Sequence, residues 1–438
     1  MSRIADRTVP ILLIVLGSFS CQTTPEIIDS PEPAKQAQIE IGDPIALSVP
    51  DEAGLFSGEY LLSLAGGKLI LACGEISRRS QDSGTSWKTG RGLPSGRLLR
   101  LGDKSFGILA GRAPTGAQPG LFSGKWARFA SLEELTSSTE DSWQKTSLKV
   151  ERWNALTADD DTQVTELQVS GPMLELEDGT LLAATYGNFQ GDTVPMVGFV
   201  ATSGQKWFKY RTYLLESKDQ GASWKYLSTV AYDGDTGQES FCEPAIVNLG
   251  SGELLAIMRT GRFAPLYQTR SLDGGKTWSK PESSHTLGLA PQMVLLENGS
   301  LVCSFGWRPM KVAYGLAMAD EEGPYPAADR DYRNRYRDDV GIEDPSATAG
   351  DYVMVSQDKG KTWSKPQRIT DPLTIGYTLL AATGPDSCLV ISRKISIPGE
   401  SPESVAAKWR NEWPKWKDKA QTLLQARQIR VGTPAPTS

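Results

Sequence analysis

Apolar residues along this chain recur in pairs of short runs joined by a glycine-bearing turn. They read "EYLLSLAGGKLILACG", "GPMLELEDGTLLAATYG", "CEPAIVNLGSGELLAIMR", "APQMVLLENGSLVCSFGWR" and "GYTLLAATGPDSCLVISRK". Asp-Gly, Asn-Gly or Gly-rich turns between β-forming flanks predict β-hairpins. A weaker copy, "GRLLRLGDKSFGILAGR", begins at Gly96 and makes six. Six inner hairpins, each with outer strands, predict six small sheets of four strands arranged radially, which leaves only short, protected edges. The last apolar run, "TLLQARQIRV", reads as a closing strand beside the N-terminal "IEIGDPIALSV". Without such a clasp the ring would leave sheets unpaired. The expected fold is an all-β, six-bladed β-propeller over residues 38–432.

Between the hairpins runs a polar motif, Ser-x-Asp-x-Gly-x-Ser/Thr-Trp. It appears as "SQDSGTSW" from Ser80, "SKDQGASW" from Ser217, "SLDGGKTW" from Ser271 and "SQDKGKTW" from Ser356, with a worn copy, "STEDSW", from Ser138. Such a turn suits the hairpin between two outer strands. Ser and Asp oxygens accept the turn's own N–H groups, Gly takes a positive φ, and Trp packs beneath. Calcium binding is the alternative, but each motif offers one carboxylate where calcium takes several oxygens.

The composition agrees with a turn-rich globular chain: 39% apolar and 22% charged residues, 43 Gly and 27 Pro in 438 residues. A formal net charge of -6 argues against a nucleic-acid partner, whose phosphates demand a basic face. The N-terminal "MSRIADR", the apolar run "VPILLIVLG" and Cys21 look like an export signal over residues 1–21. The signal resembles that of a bacterial lipoprotein, with Cys21 as the lipidation site and Ser18 where Leu is usual; an ordinary cleaved signal is the alternative. Residues 22–37 are Pro- and Glu-rich, a solvated tether, and residues 433–438 a C-terminal tail. The expected location is the periplasm or cell envelope of a bacterium, with membrane contact only through the lipid. Cys73, Cys242, Cys303 and Cys388 lack metal or redox spacing and read as buried thiols. A single histidine, His285, excludes a multi-histidine metal site and leaves a Ser-His-Asp triad without its motif. No cofactor or metal is expected, and the chain is expected to be a monomer.

Hairpin geometry sorts residues by face. In "CEPAIVNLGSGELLAIMR" the turn lies at Gly250 to Gly252, so Glu243 and Arg259 share the opposite rim, away from the Ser/Asp/Gly/Trp turns. The same folding-back puts Gln292 with Arg308 and Tyr377 with Arg393 on that rim, joined by Tyr186, Asn188 and Glu75. Arginines in an acidic protein imply an anionic ligand, because the guanidinium fork matches a carboxylate. Two long inserts, "NFQGDTVPMVGFVATSGQKWFKY" and "DEEGPYPAADRDYRNRYRDDVGIEDPSA", fall on the same rim as pocket walls or a lid. The segment "KWRNEWPKWKDK" reads as a docked amphipathic helix.

These turns are Asp-boxes, and with the hairpin spacing the chain resembles the sialidase (neuraminidase) superfamily of six-bladed propellers from about residue 50 to 432. The resemblance implies an exo-glycosidase that removes terminal sialic acid or a related acidic sugar from glycans. Glu243 and Arg259 are similar to the Glu that activates the nucleophile and the second arginine. Arg308 in "SFGWRP" is similar to the third arginine, and Tyr377 in "IGYTLL" to the nucleophilic Tyr. A neutral phenol suits a sugar whose anomeric carbon bears a carboxylate, and a neighbouring carboxylate can take its proton. The alternative is that Tyr377 only packs in its strand and Glu243 only pairs with an arginine. The chain departs from the family at Leu61, where the first arginine would fall. No acid/base Asp follows the first hairpin; Glu75 and Asp192 are the substitutes offered, Asp192 as the catalytic one. Tyr186, Gln292, Arg393 and Glu75 are the further substrate contacts. A propeller that binds acidic glycans without turnover, and a hydrolase or lyase for another acidic polysaccharide, are the rival functions.

Overall fold

The computed structural model describes residues 38–47, 60–73, 76–93, 96–114, 120–150, 171–196, 207–261, 264–307, 335–340, 350–370, 374, 376–401, 404–405 and 421–432. Cys21, the tether, the segment "KWRNEWPKWKDK", the tail and most of the second insert lie outside them. The described residues form twenty-five strands. β1 (Ile39–Ile41) and β2 (Ile45–Leu47) precede a first unit, β3 to β6 (Tyr60–Ser63, Leu69–Cys73, Ile76–Ser80, Lys88–Arg91). A second unit is β7 to β10 (Arg97–Arg100, Phe106–Pro114, Leu121–Phe129, Gln144–Lys149), and a third is β11 to β14 (Met173–Glu175, Leu181–Gly187, Arg211–Ser217, Ser223–Ala231). The fourth is β15 to β18 (Cys242–Gly250, Glu253–Arg259, Pro265–Ser271, Glu282–Leu287), the fifth β19 to β22 (Leu289–Leu295, Leu301–Trp307, Gly350–Ser356, Gln367–Arg368). β23 to β25 (Leu379–Gly384, Ser387–Ser396, Gln421–Val431) close the chain.

Each unit is an antiparallel meander, as the alternation of the sequence requires. The clasp forms on β25, where Ile39 to Ile41 pair with Ile429 to Val431 and Ile45 to Leu47 with Leu424 to Ala426. Six separate sheets are expected, but the described residues form five: three of four strands, one of five and one of eight. The eight-stranded sheet joins the second and third units through a parallel pairing of β10 with β14. An outermost strand carries a row of unpaired backbone groups, and here two neighbouring edges satisfy one another.

Apolar side chains alternate between the two faces of each unit, so every unit contributes to two interfaces. Ile70 and Ala72 meet Phe106 and Ile108 between the first and second units. Leu109 and Phe122 meet Leu181 and Leu215 next, then Leu182 and Leu214 meet Leu254 and Ala256. Ile257 and Leu266 meet Phe305 and Met354, and Val302 and Val353 meet Val390 and Ile429. Leu389 and Leu424 return to Leu69 and Leu71. The innermost strands follow the same circuit, with β15 against β19, β19 against β23 and β23 back against β3.

The Asp-boxes fasten these interfaces. Ser271 Oγ donates to Asp273 Oδ1 at 2.8 Å, while Gly275 N donates to Ser271 Oγ at 2.9 Å and Thr277 N to Asp273 Oδ1 at 2.9 Å. The boxes at Ser80, Ser217 and Ser356 repeat this pattern. Each box glycine has a positive φ and backs onto the preceding unit, Gly84 on Leu389, Gly221 on Trp126, Gly275 on Leu214 and Gly360 on Leu255. In the worn copy Trp143 packs edge-on to Phe129. Gly274 N donates to Gly252 O and Ser83 N to Gly67 O, so boxes and inner turns share one end. The starts of the innermost strands stand at the other.

Candidate functional site

At that other end two adjacent inner strands are bulged. The ladder of β15 slips between Cys242 and Ala245, and that of β19 between Leu289 and Gln292. Glu243 and Ala290 lie in these slips with φ of 47° and 46°, a left-handed conformation uncommon outside glycine. The bulges turn Glu243 out of the alternation and bring Ala290 N to its Oε2 at 2.9 Å. Glu243 Oε1 accepts from Tyr377 Oη at 2.7 Å and from Arg259 Nη1 at 2.9 Å. Arg259 Nη2 donates to Glu239 Oε1 at 2.6 Å, and Cys242 Sγ to Glu239 Oε2 at 3.2 Å. The four groups Tyr377, Glu243, Arg259 and Glu239 thus form one hydrogen-bonded chain, with the guanidinium and both carboxylates shielded from solvent.

Tyr186, at the end of β12, borders this chain. Burial, and then the charge of Glu243 beside it, push its phenol well above the usual range. Its ring meets that of Tyr210 edge-on at 4.9 Å. Burial, followed by the charges of Glu239 and Glu243, acts on the Cys242 thiol, which is likewise held well above its ordinary value. Arg393 lies across from Tyr377 when the register Leu379↔Ile391 is continued by two residues. It is buried, and burial pulls its guanidinium down to about 10, still cationic at neutral pH. Gln292 is half-buried opposite Ser304, two residues beyond Ala290.

Asp192 sits elsewhere. Its carboxylate takes the Arg211 fork, with Nε at 2.8 Å and Nη2 on the other oxygen, and accepts Phe189 N at 2.9 Å. Arg211 in turn stacks over Tyr232 at 4.2 Å and Phe189 at 5.1 Å. This is a buried brace for the start of the first insert, and both oxygens are occupied by it. Asn188 helps, donating to Lys209 O at 2.7 Å. Leu61 packs among the apolar residues of the first unit and supplies no charge to the rim. Arg308 and Glu75 lie outside the described residues. Among the described residues no group of three or more His, Cys, Asp or Glu side chains could hold a metal ion.

Glu239 was not singled out in the sequence, because it precedes the strand and face-sorting applies only to strand ends. Its loop is braced twice. Lys209 Nζ donates to Gly234 O and Gly237 O, each at 2.7 Å, and Gly237 N donates to Tyr336 Oη at 3.0 Å. Tyr336 belongs to a short helix over 335–340 within the second insert. Asp339 of that helix accepts from Ser283 Oγ at 2.6 Å and contacts His285 Nδ1.

A family of BNR repeat-like domains matches residues 124–303. No curated protein matches the chain. A solved protein of unknown function from Dyadobacter fermentans is similar at TM-score 0.55 and 16% identity, covering 90% of this chain and 99% of that one. A Hadza microbial sialidase is similar at TM-score 0.47 and 15% identity, over 76% of this chain and 62% of that one. An α-L-arabinanase from Penicillium chrysogenum gives TM-score 0.47 and 14% identity, over 89% and 97%. A BNR repeat-like family thus matches part of the chain, and the likeness to the Dyadobacter fermentans protein is one of fold.

Proposed function

We propose that the protein is a glycoside hydrolase on a six-bladed propeller, with Tyr377 as nucleophile and Glu243 as the base that takes its proton. The observation that carries this reading is the 2.7 Å hydrogen bond from Tyr377 Oη to Glu243 Oε1. A phenol is a weak nucleophile until a neighbouring base removes its proton. Six apolar interfaces closing on themselves support the blade count. The BNR repeat match supports the enzyme class. The substrate we propose is a glycan ending in sialic acid or a related acidic sugar, since a phenol is the nucleophile that an anomeric carboxylate tolerates. Arg259, Arg308 and Arg393 are its proposed anchors, with Tyr186, Gln292 and Glu75 around them. The general acid is not among the residues assigned. The protein is further proposed to act as a monomer, exported and lipid-anchored through Cys21. Labelling with radioactive palmitate that is lost in Cys21→Ala would support the anchor, and equal labelling would refute it.

Release of a fluorogenic aryl leaving group from a sialoside should vanish in Tyr377→Phe and in Glu243→Ala. Turnover that survives both changes refutes the mechanism. Capture of acidic glycans without turnover is the second reading, favoured by Leu61 in the first unit and by Asp192 being held by Arg211. On a glycan array it predicts intact ligand retained with no shortened product.

A further inference from the structure

Glu239 stands two hydrogen bonds behind the nucleophile's base, through Arg259. We infer that Glu239 is a positioning residue that holds the Arg259 charge, so that Glu243 is free to accept the phenol proton; this rests on the proposed roles of Tyr377 and Glu243. Two carboxylates, those of Glu239 and Glu243, share the one guanidinium of Arg259. Arg259 is shared, at 2.6 Å from Glu239 and 2.9 Å from Glu243. Its side chain is 7% exposed, so water cannot take over from a lost carboxylate.

In the step itself the proton moves from Tyr377 Oη to Glu243 Oε1, and the negative charge moves from carboxylate to phenolate. The phenolate oxygen then bonds to the anomeric carbon, while the bond to an aryl leaving group breaks and its electron pair departs on the leaving oxygen. Throughout, Arg259 keeps Glu239 as its partner. If Glu243 were the only partner of Arg259, its protonation would strand a buried guanidinium, and removing one member of a buried pair is strongly unfavourable. Glu239 is held for this task on both oxygens, by Arg259 and by the Cys242 thiol. Its loop is fixed by Lys209 and Tyr336.

The test reads phenolate formation directly and needs no substrate. Tetranitromethane attacks phenolates, and mass spectrometry can follow nitration of the half-buried Tyr377, with Tyr226 on β14 as reference. Glu239→Gln should slow nitration of Tyr377 relative to Tyr226 by about tenfold, equivalent to ~1.4 kcal/mol. Glu239→Asp, which keeps the charge, should label within about twofold of the wild type, a difference of under half a kcal/mol. On a fluorogenic sialoside, Glu239→Gln should lower kcat with KM nearly unchanged. Wild-type nitration in Glu239→Gln overturns the inference, as does loss of labelling in Glu239→Asp equal to that in Glu239→Gln. If Glu239→Gln does not fold, the Glu239→Asp result decides alone: retained labelling supports the inference and lost labelling refutes it. A wild-type protein that releases nothing from the sialoside would refute sialic acid as the substrate, while the nitration comparison would still decide the role of Glu239.

Discussion

Gly275 and Gly299 have nearly the same backbone, φ 85° and 84°, in different surroundings. A Cβ on Gly275 would stand 2.7 Å from Leu214 Cδ1 and 3.1 Å from Leu254 Cδ1, both buried. One on Gly299 would meet nothing within 4 Å. Substituting alanine at either position costs about 1–2 kcal/mol for the left-handed conformation. The stiffer unfolded chain returns about 0.4–1 kcal/mol of that. Gly299→Ala should therefore destabilise by roughly 1 kcal/mol or less. Gly275→Ala adds overpacking between the third and fourth units, about 1–3 kcal/mol, because the Cβ would press on Leu214 and Leu254, both buried. Urea titration followed by tryptophan fluorescence measures both, and the midpoints should separate with a common slope. Equal midpoints would refute the reading that Gly275 backs tightly onto the preceding unit.

Asp82 is held at about 2, first by the Ser86 hydroxyl and N–H and then by the Ser80 hydroxyl. Asp273 also lies at about 2, where burial opposes the shift and Thr277 and Ser271 outweigh it. Both folded values lie below the unfolded value of about 3.9, so their stabilisation is complete above that pH and is lost as pH falls toward 2. Replacing both with Asn should flatten the fall in urea midpoint over that window, and an unchanged acid limb would count against the assignment. Asp192→Asn should cost about 3–5 kcal/mol by leaving Arg211 without its carboxylate; full stability combined with lost turnover would instead restore Asp192 as an acid. The thiols of Cys303 and Cys388 are pushed well up by burial, so neither should react with a disulfide reagent until the protein unfolds. Labelling in native buffer would contradict their burial.

Strand order and interfaces were legible because two local signals agree. Glycine turns fix each hairpin register, and period-two alternation fixes which side chains face which neighbour. The Asp-box turns were legible for the same reason, being closed by bonds within eight residues. The parallel seam between β10 and β14 was not legible, since it depends on how two outer edges approach in space. Asp192 shows another limit. Its position after "YGNFQG" suggested chemistry, but only the fold reveals that Arg211 reaches it from the next strand.

The strain at Glu243 and Ala290 is the feature that ordinary strand rules could not supply. A straight β15 would continue the alternation and carry Glu243 onto an inter-unit face, where an acid between apolar sheets would be costly. A slip in the ladder with a left-handed residue releases it toward Tyr377 and Arg259, at about 1–2 kcal/mol. The same device on β19 presents Ala290 N to the carboxylate, so two neighbouring units distort together around one side chain. Backbone strain of this kind persists only where its surroundings over-determine it. Here they do so through three hydrogen-bond partners, Tyr377, Arg259 and Ala290, with Glu239 behind Arg259. Straightening β15 would release the strain but would bury a carboxylate without Tyr377, Arg259 or Ala290, so the bulge and the hydrogen-bonded chain stand or fall together.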